Sequence, residues 1–174
     1  MFDMIYSQVR RYRKRYRTSD PFELLDLLGV VVVFSGEYSR DGLRGYCVII
    51  NRIKYVVINR NLPEEEQRVV AAHELAHLIL HKARLTARAM PDFDVCNVTG
   101  RLEQEANFFA ADFLIDDADV LDLVQAHGAD FFAVAKELLV PAPFLAFKLY
   151  SMVRRGYNMR LPVDLDSTFL KGDR

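Results

Sequence analysis

The sequence predicts an α+β fold: a small three-stranded sheet packed on helices, then a part that is helical throughout. Three observations carry this. β-branched and aromatic runs bounded by turn residues cluster between residues 30 and 59. An apolar, helix-forming run holding three of the four histidines follows at residues 69–81. From residue 101 to residue 155, apolar positions recur at helical spacing.

Residues 3–17 read as a helix, with Met4, Ile5, Val9, Tyr12 and Tyr16 as its apolar stripe. The run Arg10-Arg11-Tyr12-Arg13-Lys14-Arg15-Tyr16-Arg17 interleaves basic and aromatic residues. It is read as a solvated face whose arginine stems cover the stripe, because the rest of the chain is not basic. Asp20 caps a short helix over residues 22–28 with Pro21 at its first position, and Gly29 ends it. Strands are expected at 30–35, 43–50 and 55–59, the last two joined as a hairpin through Asn51-Arg52-Ile53-Lys54. The sheet is then mixed or antiparallel.

Glu64, Glu65 and Glu66 follow Pro63, an acidic first turn that suits the positive end of a helix. That helix runs through the histidines. Lys82 to Gly100, with Pro91 and Asn97, has no sustained period and reads as a long connection of the kind that forms lids. Arg101 to Ile115 is a new helix with Leu102, Ala106, Phe109, Ala110, Phe113 and Leu114 on one face. Short helices are expected at 117–126, closed by Gly128, and at 131–139, capped by Asp130. Val140-Pro141-Ala142-Pro143 turns into a last helix over 144–155. The last pair has a helix-turn-helix outline, but its second helix offers phosphates only Lys148, Arg154 and Arg155. The tail from Met159 is expected to be poorly ordered.

At 174 residues, 51% hydrophobic and 27% charged, the chain can bury a core without staples. A net charge of -1 gives no global nucleic-acid signature. Cys47 and Cys96 are far apart and read as free thiols of a reducing compartment. The start of the chain does not resemble a signal peptide, and no apolar run approaches the ~20 residues that span a bilayer. The expected location is the cytoplasm, with no membrane partner.

The chemistry lies in His73-Glu74-Leu75-Ala76-His77. Residues four apart on a helix stand about 40° apart around its axis, so His73 and His77 project from one face, one turn apart. Two such imidazoles can hold one tetrahedral metal, and zinc is the expected ion. Glu74, offset by about 100°, comes near the metal without ligating it. That is the place for a base acting on water. A helix this apolar leaves two histidines and a glutamate needing partners, because unpaired buried polar groups cost several kcal/mol. A catalytic zinc takes three protein ligands. His81 lies a further turn along the same straight helix, so it cannot help surround the same ion and reads as a supporting or helix-end residue. His127 has no motif around it. Glu103 and Asn107 share a face of the next helix, so Glu103 could ligate while Asn107 hydrogen-bonds a histidine. Glu105 projects towards the other side and stands in reserve.

His-Glu-Leu-Ala-His-Leu-Ile-Leu-His at 73–81 together with Glu-x-Glu-Ala-Asn-x-Phe-Ala-Ala-x-Phe-Leu at 103–114 resembles the ImmA/IrrE family of metallopeptidases. The resemblance covers roughly residues 20–116. It implies a zincin-like fold, His73, His77 and Glu103 as ligands of Zn2+, and Glu74 as catalytic base. Ile115-Asp116-Asp117 stands where the family often has a proline, a change at a helix end. The expected organisation is a zincin-like metallopeptidase domain at 1–116, a helix-turn-helix-like helical appendage at 117–158, and a tail at 159–174. Members resembling it on phages and other mobile genetic elements are anti-repressor proteases that cut a helix-turn-helix repressor, and some act in stress responses.

Two functions follow as expectations. The first is a zinc endopeptidase acting on a DNA-binding transcriptional repressor. The second is a non-catalytic regulatory module that binds repressor or DNA, with a structural or sensory metal. Glu74 favours the first, since a site without catalysis has no chemical need for it. Direct DNA binding is not expected. Tyr46, Tyr55 and residues of the lid are nominees for stabilising the oxyanion.

Overall fold

The computed structural model describes residues 1–86, 100–126 and 130–159. Helix α1 spans Phe2–Tyr16 and α2 spans Pro21–Leu27. Strands β1 (Val30–Ser35), β2 (Gly45–Ile50) and β3 (Ile53–Asn59) follow. Helices α3 (Glu64–Leu80), α4 (Lys82–Thr86), α5 (Arg101–Leu114), α6 (Asp117–Ala126), α7 (Phe131–Glu137) and α8 (Ala142–Arg154) complete the chain. This is an α+β domain with one small mixed sheet, as the alternation of β-branched and helical stretches predicts. No described helix is long and apolar enough to cross a membrane.

The sheet order is β1-β3-β2, with β1 parallel and β2 antiparallel to β3. The last strand in the chain, β3, is therefore central, and β1 and β2 flank it. The loop from β1 to β2 must pass the end of β3. Asn59, fully buried there, donates from Nδ2 to the carbonyls of Ser39 (2.8 Å) and Leu43 (3.0 Å) and so pins it. The hairpin is tighter than its sequence suggests. Ile53 and Lys54 belong to β3, and the turn is only Asn51-Arg52, with φ of 50° and 69°. Two positive φ values match the right-handed twist of a two-residue hairpin, and Asn tolerates that region where Arg does so only under strain.

Period-two alternation sends Cys47, Val56 and Ile58 inward against α3. Gly45 sets how closely β2 approaches that helix. A Cβ there would stand 2.5 Å from Val70 Cγ1 and 2.8 Å from the carbonyl of Val57. Tyr46 and Tyr55 have the opposite parity, paired with Val57 and Val48. They start from the face of the sheet turned away from α3, although Tyr46, on the edge strand, still lines the cleft that holds the histidines, whereas Tyr55 does not.

Helix α5 is packed by α1, α3 and α8. Its buried residues include Glu105, Phe108, Ala111 and Asp112 beside the expected Ala106, Phe109, Ala110 and Phe113. A single apolar stripe underestimates this, because three neighbours cover three sides. Against α3, small residues make the approach close: Ala71, Ala72 and Ala76 on one helix, Ala106, Ala110 and Ala111 on the other, all fully buried. Along α1, Ile5 and Val9 are buried, whereas Met4 is 54% exposed and does not belong to the stripe. Phe2 takes its place, edge-on to Phe108 at 4.8 Å. The basic run is a solvated face, apart from Arg13, which pairs with Asp116 at 2.5 Å.

The described residues of 117–126 and 130–159 share a core with the helices before them. Ala72, Ala110, Ala111 and Ile115 pack with Val120, Val134, Leu145 and Met152. Lys148 is fully buried and bonds Asp112 Oδ1 at 3.0 Å and Asp117 Oδ1 at 2.6 Å. Arg155 closes on Asp117 through both terminal nitrogens at 2.6 and 2.7 Å. Two of the three cations the sequence offered to phosphates are thus spent inside the fold. The third, Arg154, lies over the rings of Phe2 and Tyr150. The connection expected at 82–100 begins with α4, which its short period hid. The rest of that proposed lid, Cys96, His127, Gly128 and the tail from residue 160 lie outside the described residues.

Candidate metal centre

Helix α3 carries His73 and His77 on one face because they are four apart, and α5 crosses that face with Glu103. His73 Nε2 lies 3.0 Å from Glu103 Oε2, and His77 Nε2 lies 3.3 Å from Glu103 Oε1. The two Nε2 atoms are 3.1 Å apart. Ligand atoms held about 2.0–2.1 Å from one tetrahedral ion stand about 3.4 Å from each other. The spacing of the two Nε2 atoms and the Glu103 carboxylate therefore fits a single ion. So does their chemistry: two imidazole lone pairs and a carboxylate converge, all acceptors towards a common point, and only a proton or a cation can sit among them. Among the described residues these three form a cluster able to hold a metal ion.

Each histidine is held from behind. Asn107 Oδ1 lies 2.8 Å from His73 Nδ1. With that oxygen accepting, His73 carries its proton on Nδ1 and keeps Nε2 free for the ion. His77 Nδ1 lies 3.0 Å from His81 Nδ1. His81, the residue that caps α3, in turn meets Glu105 Oε2 through Nε2 at 3.2 Å. Arg101 Nε donates to Glu105 Oε1 at 2.7 Å. Glu105 thus faces His81 and not the convergence point, which is where its helical offset from Glu103 puts it.

The electrostatics follow from this packing. Burial pushes Glu103 up, but the hydrogen bonds and charges of His73 and His77 outweigh it and bring the carboxyl down to about 2. Burial lowers His73, and Glu103 and Glu74 more than reverse that, so its proton is held above the usual histidine range. Burial lowers His81 despite the hydrogen bond to Glu105.

Glu74 is buried one position on from His73 and points towards β2. Its neighbour is Cys47: burial first, then the charge and hydrogen bonding of Glu74, push that thiol well above its ordinary value. The sequence shows Cys47 only as a free thiol. Its inward parity is legible in the alternation of β2, but its contact with Glu74 depends on the register of β2 across α3. The line through His81 and Glu105 was equally hidden, since it joins two helices across an unpatterned connection.

Cys47, His73, Glu74, His77, His81 and Glu103 line one cleft of about 950 Å³. The whole of β2 forms one wall, α3 and α5 the floor, and Leu85 and Phe144 apolar ends. Fold and site together define a zincin-like domain, with a His-Glu-x-x-His helix under an edge strand and a glutamate from α5. Residues 27–150 match the model of a peptidase family, M78, described as the IrrE N-terminal-like domain, and the chain belongs to that family. It is also 34% identical over 116 residues to uncharacterized immunity region protein 2 of Bacillus phage phi105, covering 67% of this chain and 71% of that protein.

Proposed function

We propose that this protein is a zinc-dependent endopeptidase that cuts a DNA-binding repressor, with His73, His77 and Glu103 as ligands and Glu74 as base. The observation that carries the reading is the convergence of His73 Nε2, His77 Nε2 and Glu103 within 3.0–3.3 Å, beside a buried Glu74. When bound, the zinc would acidify a water and polarise the scissile carbonyl. Glu74 takes a proton from the attacking water and returns it to the leaving amine. Asn107 holds His73 in its ligating tautomer. Among the described residues β2 is the outer strand beside the cleft, a place that suits an extended substrate added as a further strand with main-chain hydrogen bonds. Similarity to a phage immunity-region protein, and the resemblance to anti-repressor proteases, support a repressor as substrate. A narrow substrate range also fits a cytoplasmic protease.

The test is to incubate the purified chain with the helix-turn-helix repressor encoded nearest to its gene. The expected result is one discrete cut, abolished by a zinc chelator and by Glu74→Gln. Failure to cut that repressor, or equal digestion of unrelated unfolded proteins, would defeat the reading. Comparing the whole repressor with a short peptide spanning its cut site tests whether contacts beyond that site set the narrow range, and a much slower cut of the peptide is the expected result.

A further inference from the structure

We infer that Glu105 and His81 are positioning residues: they form a directional hydrogen-bonded line that fixes the tautomer of His77. The inference rests on the proposed metal site and adds residues to it. Four groups stand in series, Arg101 Nε to Glu105 Oε1 at 2.7 Å, Glu105 Oε2 to His81 Nε2 at 3.2 Å, and His81 Nδ1 to His77 Nδ1 at 3.0 Å. His81 and Glu105 are both buried.

The direction of the line follows from what each group can do. Arginine has only donors, so it takes one oxygen of Glu105 and favours the ionised form. An ionised carboxylate only accepts, so His81 must present an N–H from Nε2. A neutral His81 protonated on Nε2 has a bare lone pair on Nδ1. The hydrogen on the 3.0 Å contact must then come from His77 Nδ1, and His77 Nε2 is left bare towards Glu103 and His73. Reversing any link puts the proton on His77 Nε2, where it competes with a cation. The carboxylate at one end thus sets the lone pair at the other, two rings away. His73 reaches the same state by a different device, the neutral amide of Asn107.

The wild-type protein offers the first test. With histidine labelled by 15N, long-range proton–nitrogen correlation spectra of the metal-free chain assign each ring's tautomer. His81 is expected as the Nε2–H form and His77 as the Nδ1–H form. The opposite pair of tautomers would overturn the inference, whatever the activity. The second test is zinc affinity, measured by competition with a chelator, for Glu105→Gln, His81→Phe and the double variant. A glutamine can donate to His81 and reverse the line. Each single variant should bind zinc about 10–100-fold more weakly while still reaching one zinc per chain at saturation. If Glu105 acts through His81, the double variant is no weaker than His81→Phe alone. Wild-type affinity in both single variants, or losses that multiply in the double variant, would refute it. A wild type that binds no zinc would instead defeat the metal site itself.

Discussion

Two polar clusters flank helix α5 on opposite sides, one half-buried and one buried, and they balance their charges in opposite ways. On the side facing α3, Glu103 meets two imidazoles, each able to turn a lone pair inward. On the side facing α8, Asp112 and Asp117 meet Lys148 and Arg155, which have only donors to offer. The second cluster is charge-balanced, two carboxylates against two cations, with Ser151, Tyr6 and Tyr157 taking further lone pairs at 2.7–3.0 Å. It is complete within the chain. The first converges acceptors on one point and would be completed by a cation from outside. The difference lies in the donor inventory, imidazoles on one side against an ammonium and a guanidinium on the other.

The largest way to break this contrast is to remove a ligand. His73→Ala or Glu103→Ala should take the purified protein from about one zinc per chain to none by elemental analysis, while thermal unfolding of the metal-free forms stays close to that of metal-free wild type. A wild type that holds no zinc even after zinc addition would put the first cluster in the same class as the second. Next is Glu74→Gln, which should keep its zinc and lose about 10²–10⁴-fold in cleavage rate, because an amide cannot accept the water's proton. Wild-type cleavage by that variant would take Glu74 out of the mechanism.

The balanced cluster should respond in stability instead. Lys148→Met leaves Asp112 and Asp117 short of a buried cation, and should cost about 3–5 kcal/mol in denaturant unfolding with zinc stoichiometry unchanged. Replacing Asp112 and Lys148 together by Asn and Met should cost less than Lys148→Met alone. If it costs more, the pair is not the unit of stabilisation. A smaller effect is expected on the metal side from Asn107→Leu, about 10–100-fold in zinc affinity.

pH separates the clusters most gently. The proton on His73 competes with zinc and is held above the usual histidine range, so affinity should fall about tenfold per pH unit as pH drops through and below neutrality. Glu103, down at about 2, stays ionised throughout and is not the limiting group. In the other cluster, burial alone would raise Asp117, but hydrogen bonds from Arg155 and Lys148 hold it well below the usual carboxylate range. A carboxyl depressed on folding contributes its stability in full above its unfolded pKa of about 3.9 and loses it as pH falls further. Zinc should therefore leave at a higher pH than the one at which the chain loses the stability that Asp117 contributes. Simultaneous loss of metal and fold would show that the two sides of α5 are not independent.

Local rules made most of this protein legible from its residues. Helical spacing puts His73 and His77 on one face and Glu103 with Asn107 on another, and needs no knowledge of the fold. Pro21 after Asp20 and the β-branched run at 30–35 set their own elements, and β1 begins and ends where the run does. Other features had no local signal. Asn51-Arg52 as a two-residue turn depends on which residues β3 pairs with. The burial of Lys148 and Arg155 depends on two aspartates more than thirty positions earlier, since a lysine stem reads the same whether its end meets water or a carboxylate. Glu105 was legible as turned away from Glu103, but its partner His81 was not. Spacing along one helix fixes angles, whereas partners across helices are fixed by how closely those helices approach. Here that distance was decided by alanines on α3 and α5 and by Gly45 at the start of β2, seen only once the chain is packed.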